Sequence, residues 1–186
     1  MNLEEAIIYR RSVFPEQFEE GEIPKEKIER LLALANCAPT HKKTEPWRFK
    51  VATGGKKEEL AEHMAKLYKN TVPPKNYSTF KERKVREKVQ KSAAVILICM
   101  QRDPKERIPE WEEIAAVAMA MQNIWLSLEA EGLGGYWSSP AFIDQMGPFL
   151  GLADGEKCLG IFYLGNYSGK AVEGSHGDYR EKVSWI

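Results

Sequence analysis

The chain of 186 residues contains only three cysteines, Cys37, Cys99 and Cys158, and no CxxC spacing. A disulfide scaffold needs a denser, even-numbered set, so these thiols are expected to be reduced core residues of a cytosolic chain. Charge of one sign is also lacking: 27 basic and 27 acidic side chains cancel, and the pI is about 6.9. That balance excludes a general nucleic-acid or membrane-surface binder, so any phosphate site has to be local. The three histidines, His41, His63 and His176, stand apart without a companion at metal-ligand spacing, and no metal centre is expected. The GxSxG elbow, the GxGxxG fingerprint and the GxxxxGK phosphate loop are all absent, which removes the usual routes to a serine hydrolase and to a Rossmann or P-loop nucleotide site. No apolar run is long enough to span a bilayer, and no basic start leads into an export segment. The chain is expected to be soluble and cytoplasmic, forming one domain over residues 1–186.

Helices and strands alternate irregularly along the sequence. Leu3, Ile7 and Ile8 predict a short amphipathic helix reaching Arg10, and Pro24 opens a second with Ile28, Leu31, Leu32 and Leu34 at helical spacing. A strand follows over Arg48 to Ala52, and Gly54-Gly55 turns it into a third helix with Leu60, Met64 and Leu67 inside. The stretch from Thr71 to Thr79, with Pro73-Pro74, reads as a mobile loop over or beside a site, and Lys81 to Lys91 as a charged, solvated helix. The run Ala93 to Met100 predicts a strand covered on both faces. From about Pro109 to Glu131, stopping at Gly132, a helix is apolar nearly all round, so it is either central to the protomer or buried by a second chain. A glycine-led strand at Gly134 to Pro140 is suited to bringing backbone against a flat ligand. A short helix broken near Gly147-Pro148 and a last buried strand over Cys158 to Gly165 complete the pattern. The polar tail keeps Tyr167, Tyr179, Val183 and Trp185, an aromatic cluster that predicts docking on another surface.

Two segments carry chemistry. Arg10-Arg11-Ser12, at the end of the first helix, places two guanidinium groups and a hydroxyl together, and such a set suits a phosphate because Arg offers a planar fork of donors with a permanent charge. The second is the polar loop Ala38-Pro39-Thr40-His41-Lys42-Lys43-Thr44-Glu45-Pro46-Trp47, which ends the second helix and leads into a strand.

Taken in order, Arg10-Arg11-Ser12-Val13, Ala38-Pro39-Thr40 with Pro46-Trp47-Arg48-Phe49, Met121-Gln122-Asn123, Gly132 to Trp137 and Gly160 to Gly165 resemble the nitroreductase family of FMN enzymes, most closely its compact members. The resemblance implies an α+β fold with a mostly antiparallel or mixed central sheet flanked by helices, and an intertwined homodimer whose C-terminal tail docks on the partner. It implies FMN as cofactor and NAD(P)H as electron donor, with hydride passing through flavin N5 to a nitroaromatic, quinone or other electron-poor conjugated acceptor, without a dedicated protein acid. Carried over by position, Arg10, Arg11 and Ser12 would bind the phosphate, the ribityl chain and the ring edge. Thr40, His41 and Lys42 would reach the flavin of the partner subunit, while Trp137, Ser138 and Ser139 would pass beside its ring. Arg180, with Lys182 in reserve, would complete the phosphate clamp. Phe14 stands where many members carry a further Arg, so that one contact near the pyrimidine edge of the flavin is either lost or supplied by Lys42 or Lys43, and Asn70, Lys75 and Asn76 fall in a stretch from which larger members reach the flavin. A flavin-binding protein with little turnover, a dehalogenating or flavin-fragmenting member, and a plain homodimeric interaction module are the alternatives.

Overall fold

A computed structural model describes residues 2–169 and 172–186. Helix α1 (Leu3–Tyr9) is closed at its start by a reciprocal pair, Glu5 N–H donating to Asn2 Oδ1 and Asn2 N–H to Glu5 Oε2. It is followed by α2 (Lys25–Ala35), β1 (Trp47–Ala52), α3 (Gly55–Thr71), α4 (Thr79–Gln90), β2 (Ala94–Gln101), α5 (Glu110–Ser127), β3 (Leu133–Ser138), α6 (Gly147–Leu150) and β4 (Glu156–Asn166). The four strands form an antiparallel sheet in the order β1-β2-β4-β3.

The two central strands explain the core. Successive side chains of β2 point to opposite faces, so Ile96, Ile98 and Met100 meet α2 and α5 while Val95, Leu97 and Cys99 meet α3 and the α6 region. Both sets are buried, as the unbroken apolar run requires, and each such side chain contributes about 1.5–3 kcal/mol of burial. Ala116, Val117, Ala120, Met121 and Ile124 seat one face of α5 on this sheet. The other face stays open: Trp111 is 68% exposed, and Ile114 and Met119 are also exposed, beside the exposed Leu3 and Ile7 of α1. The α-helical hydrogen bonding stops at Ser127, and a single 3-10 turn carries the chain to Gly132, whose φ of +67° closes it.

Three expectations need correction. The Thr71–Thr79 segment is a 3-10 turn at Pro74–Asn76, with the Tyr77 ring beside Tyr68 and the Tyr77 hydroxyl donating to Glu82. Tyr77 thus ties the segment to α3 and α4. Pro148 lies in the first turn of α6 and so opens that helix instead of breaking one, because proline's missing N–H has no partner there anyway. Finally, Cys99 and Cys158 are buried, but Cys37, just past α2, is exposed. A bulky thiol reagent is therefore expected to modify Cys37 alone in the native protein and all three cysteines after denaturation; two fast-reacting native thiols would contradict this packing.

Candidate functional site

Arg10 ends α1 by turning to an extended conformation, which lays residues 10–13 between α5 and β3. Three contacts hold the stretch there. The Arg10 guanidinium stacks 4.6 Å above the Trp125 ring, Trp125 Nε1 donates to the Arg11 carbonyl at 3.0 Å, and Val13 N–H donates to the Gly135 carbonyl at 3.0 Å. Behind them lies a cavity of about 320 Å³ whose walls include Tyr9, Arg10, Arg11, Trp125, Gly134 and Tyr167.

The electrostatics of this cavity are unbalanced. Burial, and then the neighbouring Arg11, lowers the Arg10 pKa from its ordinary value. Arg11 Nη1 donates to the carbonyls of Ile8 and Arg10, but Arg11 Nη2 is buried with no partner among the described residues. An orphaned charged donor in a cavity lined by a second guanidinium fits an anionic group such as the FMN phosphate. A larger groove of about 1110 Å³ lies elsewhere, over Phe18, Ile23 and Ile28, and holds none of the predicted site residues. Its lining carries Glu16, Glu19, Glu20, Glu22 and Glu29 against Lys25, Lys57 and Lys91, a net acidic balance that disfavours an anion.

The glycines of β3, Gly134 and Gly135, line the cavity and also permit close packing. A Cβ on Gly134 would sit 2.8 Å from Val13, and one on Gly135 would sit 2.4 Å from the Phe162 ring. Their first effect is to let residues 11–14 and β4 pack tightly on this strand. Phe14, in place of an Arg, spends its ring on Tyr136, with centroids 4.6 Å apart.

The other candidates are distributed along the molecule. Ser12 is exposed beside Arg11. Trp137, Ser138 and Ser139 lie at and just beyond the far end of β3, about 10 to 17 Å from Gly134 at 3.4 Å per residue; the Trp137 indole covers Gly160, and Ser139 Oγ faces the Leu159 carbonyl. Thr40, His41 and Lys42 gather at the entry to α5. His41 Nδ1 donates to Glu112 Oε2 at 2.6 Å, Lys42 Nζ to the Arg107 carbonyl at 3.1 Å, and the Thr40 and Thr44 hydroxyls meet at 3.1 Å. Trp125 and Glu112 are separated by thirteen positions of one helix, about 20 Å at 1.5 Å per residue. The Arg10–Arg11 pair and the His41 loop therefore cannot close on the same end of one ligand within a protomer. Arg180 pairs with Asp178, Nη2 to Oδ2 at 2.8 Å, and neither it nor Lys182 lines the Arg10–Arg11 cavity; the tail reaches that neighbourhood at Gly174, where a Cβ would lie 3.2 Å from Arg11 Nη1 and 2.7 Å from His176 Nε2. Asn70, Lys75 and Asn76 are exposed and line no part of the cavity.

The His41 loop also carries strain. Lys42, Lys43 and Glu45 have φ of 52°, 52° and 43°, a region that side chains with a Cβ rarely adopt. Each such residue costs about 1–3 kcal/mol, and strain of this kind gathers at ligand clamps. Sequence reading missed Glu112 and Trp125, which hold the two candidate segments in place.

Comparison with known proteins places the family and the fold. The model of the Nitroreductase family matches residues 7–166. YfhC of Bacillus subtilis, provisionally named an NAD(P)H nitroreductase, is 28% identical over 174 residues, covering 92% of this chain and 87% of its own. The crystal structure of a nitroreductase-like family protein from Bacillus cereus superposes with a TM-score of 0.84 at 28% identity, covering 100% of this chain and 96% of that one. The FMN-dependent nitroreductase NfnB from Mycobacterium smegmatis, solved in complex with NADPH, shares the fold at a TM-score of 0.77 and 16% identity, with coverage of 98% and 97%. A four-stranded antiparallel sheet clasped by helices, an arginine pair at the end of α1 and a family match over most of the sequence lead to one conclusion: the chain belongs to the Nitroreductase family.

Proposed function

We propose that this chain is an FMN-dependent NAD(P)H oxidoreductase acting on nitroaromatic, quinone or similarly electron-poor conjugated acceptors. The observation that carries the reading is Arg11 Nη2, buried and without a partner among the described residues, beside Arg10 at a cavity of about 320 Å³. The names of YfhC and NfnB support the donor and the cofactor. Bound FMN supplies the hydride chemistry, accepting at N5 from the nicotinamide and giving to the acceptor.

The protein's own contribution is placement and charge. Arg10, Arg11 and Ser12 hold the phosphate and the adjoining chain, with Arg180, or Lys182 in its stead, closing the clamp from the tail. Trp137, Ser138 and Ser139 border the ring. Thr40, His41 and Lys42 reach the ring or chain of the flavin held by a second copy, where donor groups steady the charge of the reduced ring. The length of α5 supports a site built from two chains, and the exposed apolar face of Trp111, Ile114 and Met119 supports a homodimer. The tail, with Trp185 95% exposed, then docks on the partner. We place this one-domain protein in the cytoplasm, in keeping with reduced thiols and with the absence, among the described residues, of a helix long and apolar enough to cross a membrane.

The test is the absorption spectrum of the purified protein under anaerobic conditions. Flavin bands are expected, and NADH or NADPH should bleach them, with an acceptor such as a quinone restoring them. Flavin that stays oxidised under both nucleotides would leave a binding protein, and a protein that takes up no FMN would contradict the proposal altogether.

A further inference from the structure

We propose that Glu112 is a positioning residue for the flavin site: it holds the His41 imidazole by Nδ1 and so presents Nε2 to the flavin bound by the partner subunit. The inference rests on the reading of the Thr40–Lys42 loop as a flavin contact, and it assigns to that loop the group that aims it.

An imidazole carries its nitrogens on different sides of the ring, and the partner of one decides the role of the other. Here Nδ1 lies 2.6 Å from Glu112 Oε2, so its proton stays on that nitrogen. Nε2 has no hydrogen bond among the described residues, and the side chain is 56% exposed against 24% for Glu112. The exposed partner is thus the one with a free valence, and the shielded partner is the anchor.

An exposed ion pair contributes little by itself, so the case rests on how the pair is built in. The first turn of α5 holds three acids, and each has a separate task. Glu110 pairs with Lys157 and Glu113 with Arg102, which leaves Glu112 for His41. A second tether, from Lys42 Nζ to the Arg107 carbonyl, docks the loop on the same helix entry. The backbone between these tethers and β1 is kept in the left-handed region at Lys42, Lys43 and Glu45. A loop with no duty to aim a side chain has a less costly conformation to hand. Glu112, which anchors the ring, follows Trp111 in the first turn of α5, where the exposed apolar face that a second copy would cover begins.

The experiment combines FMN titration, followed by flavin fluorescence, with ¹⁵N spectra of the imidazole in the flavin-free protein, for wild type, Glu112→Ala, Glu112→Gln, His41→Ala and the Glu112→Ala/His41→Ala double variant. Glu112→Ala is expected to raise the FMN Kd about tenfold, the loss typical of one charge-assisted hydrogen bond. Glu112→Gln keeps an acceptor for Nδ1–H and should recover affinity to within about twofold of wild type. The double variant should bind no more weakly than His41→Ala, because Glu112 acts only through that ring. Without flavin, the wild-type and Gln spectra should show the proton on Nδ1, and the Glu112→Ala spectrum a mixture of tautomers. Wild-type affinity in Glu112→Ala alongside a weakened His41→Ala overturns the positioning role alone, as does additivity in the double variant or an unchanged tautomer. An unaffected His41→Ala overturns the loop's contact with flavin, and the role of Glu112 with it.

Discussion

Replacing Arg11 by alanine is expected to weaken FMN about 100-fold while leaving riboflavin, which lacks the phosphate, bound as before. The structure supplies the reason. Arg11 spends Nη1 on the carbonyls that end α1 and keeps Nη2 buried, with no partner among the described residues. A buried donor left without a partner costs about 1–3 kcal/mol, and a hydrogen bond to a charged group returns about 1.5–3 kcal/mol, so a phosphate gains at both ends of this account. The flavin-free protein should hardly notice the substitution. Losing the donors to Ile8 and Arg10 loosens the end of α1, but losing the orphan and its repulsion of Arg10 offsets that, and Tm should stay within about 2 °C of wild type. Arg11→Lys keeps the charge without the planar fork and should fall between. Isothermal titration with FMN and with riboflavin separates the outcomes: equal losses for both ligands would move the role of Arg11 away from the phosphate, and no loss for either would remove it from the site.

The second large effect is structural. Glu113→Ala is expected to lower Tm by about 10 °C. Glu113 is fully buried, accepts from Arg102 Nη1 on one oxygen and from Asp103 N–H at 3.0 Å on the other, and so pins the end of β2 to the first turn of α5. Arg102 uses its remaining reach on the Ile108 carbonyl at 2.7 Å. Truncating the acid leaves Arg102 Nη1 and the Asp103 N–H without acceptors, the costly way to break such a pair. Glu113→Gln retains an acceptor and should lose roughly half as much. Because the His41 loop rides on the same helix entry through Glu112 and Arg107, FMN affinity should fall together with stability. Thermal unfolding followed by circular dichroism reads the effect, and a Tm within about 2 °C of wild type would show that this entry is held by other contacts.

What was legible in the sequence follows from where the physics is local. The run of Ala93 to Met100 reads as a doubly covered strand because β-branched and apolar residues without alternation have no other economical place, and β2 is central in the sheet. Gly132 marks the end of the long helix region because it takes a positive φ. The arginine pair stands out since two adjacent guanidiniums after a short helix have an obvious anion chemistry. The missed features are long-range or ambiguous. Glu112 meets His41 across 71 positions and Trp125 meets Arg11 across 114, and neither partner differs in sequence from an ordinary helix residue. Gly134 and Gly135 signal close approach without saying of what, and the approaching groups prove to be Val13 and Phe162. Arg180 is paired with Asp178 in the isolated chain, so its role turns on a second copy that no single sequence displays.

The central claim is one flavin site made by two chains, and subunit mixing tests it most directly. Arg11→Ala protein and protein with Thr40, His41 and Lys42 all changed to alanine are co-produced with different affinity tags, and the mixed dimers are isolated and titrated with FMN. If each site takes its arginines from one chain and its loop from the other, a mixed dimer holds one intact site and one doubly altered site. It should then bind one FMN per dimer with wild-type affinity, while both parents bind weakly. Mixed dimers that show no wild-type site, only the two weak affinities of the parents, would contradict the account and place both elements of each site on a single chain.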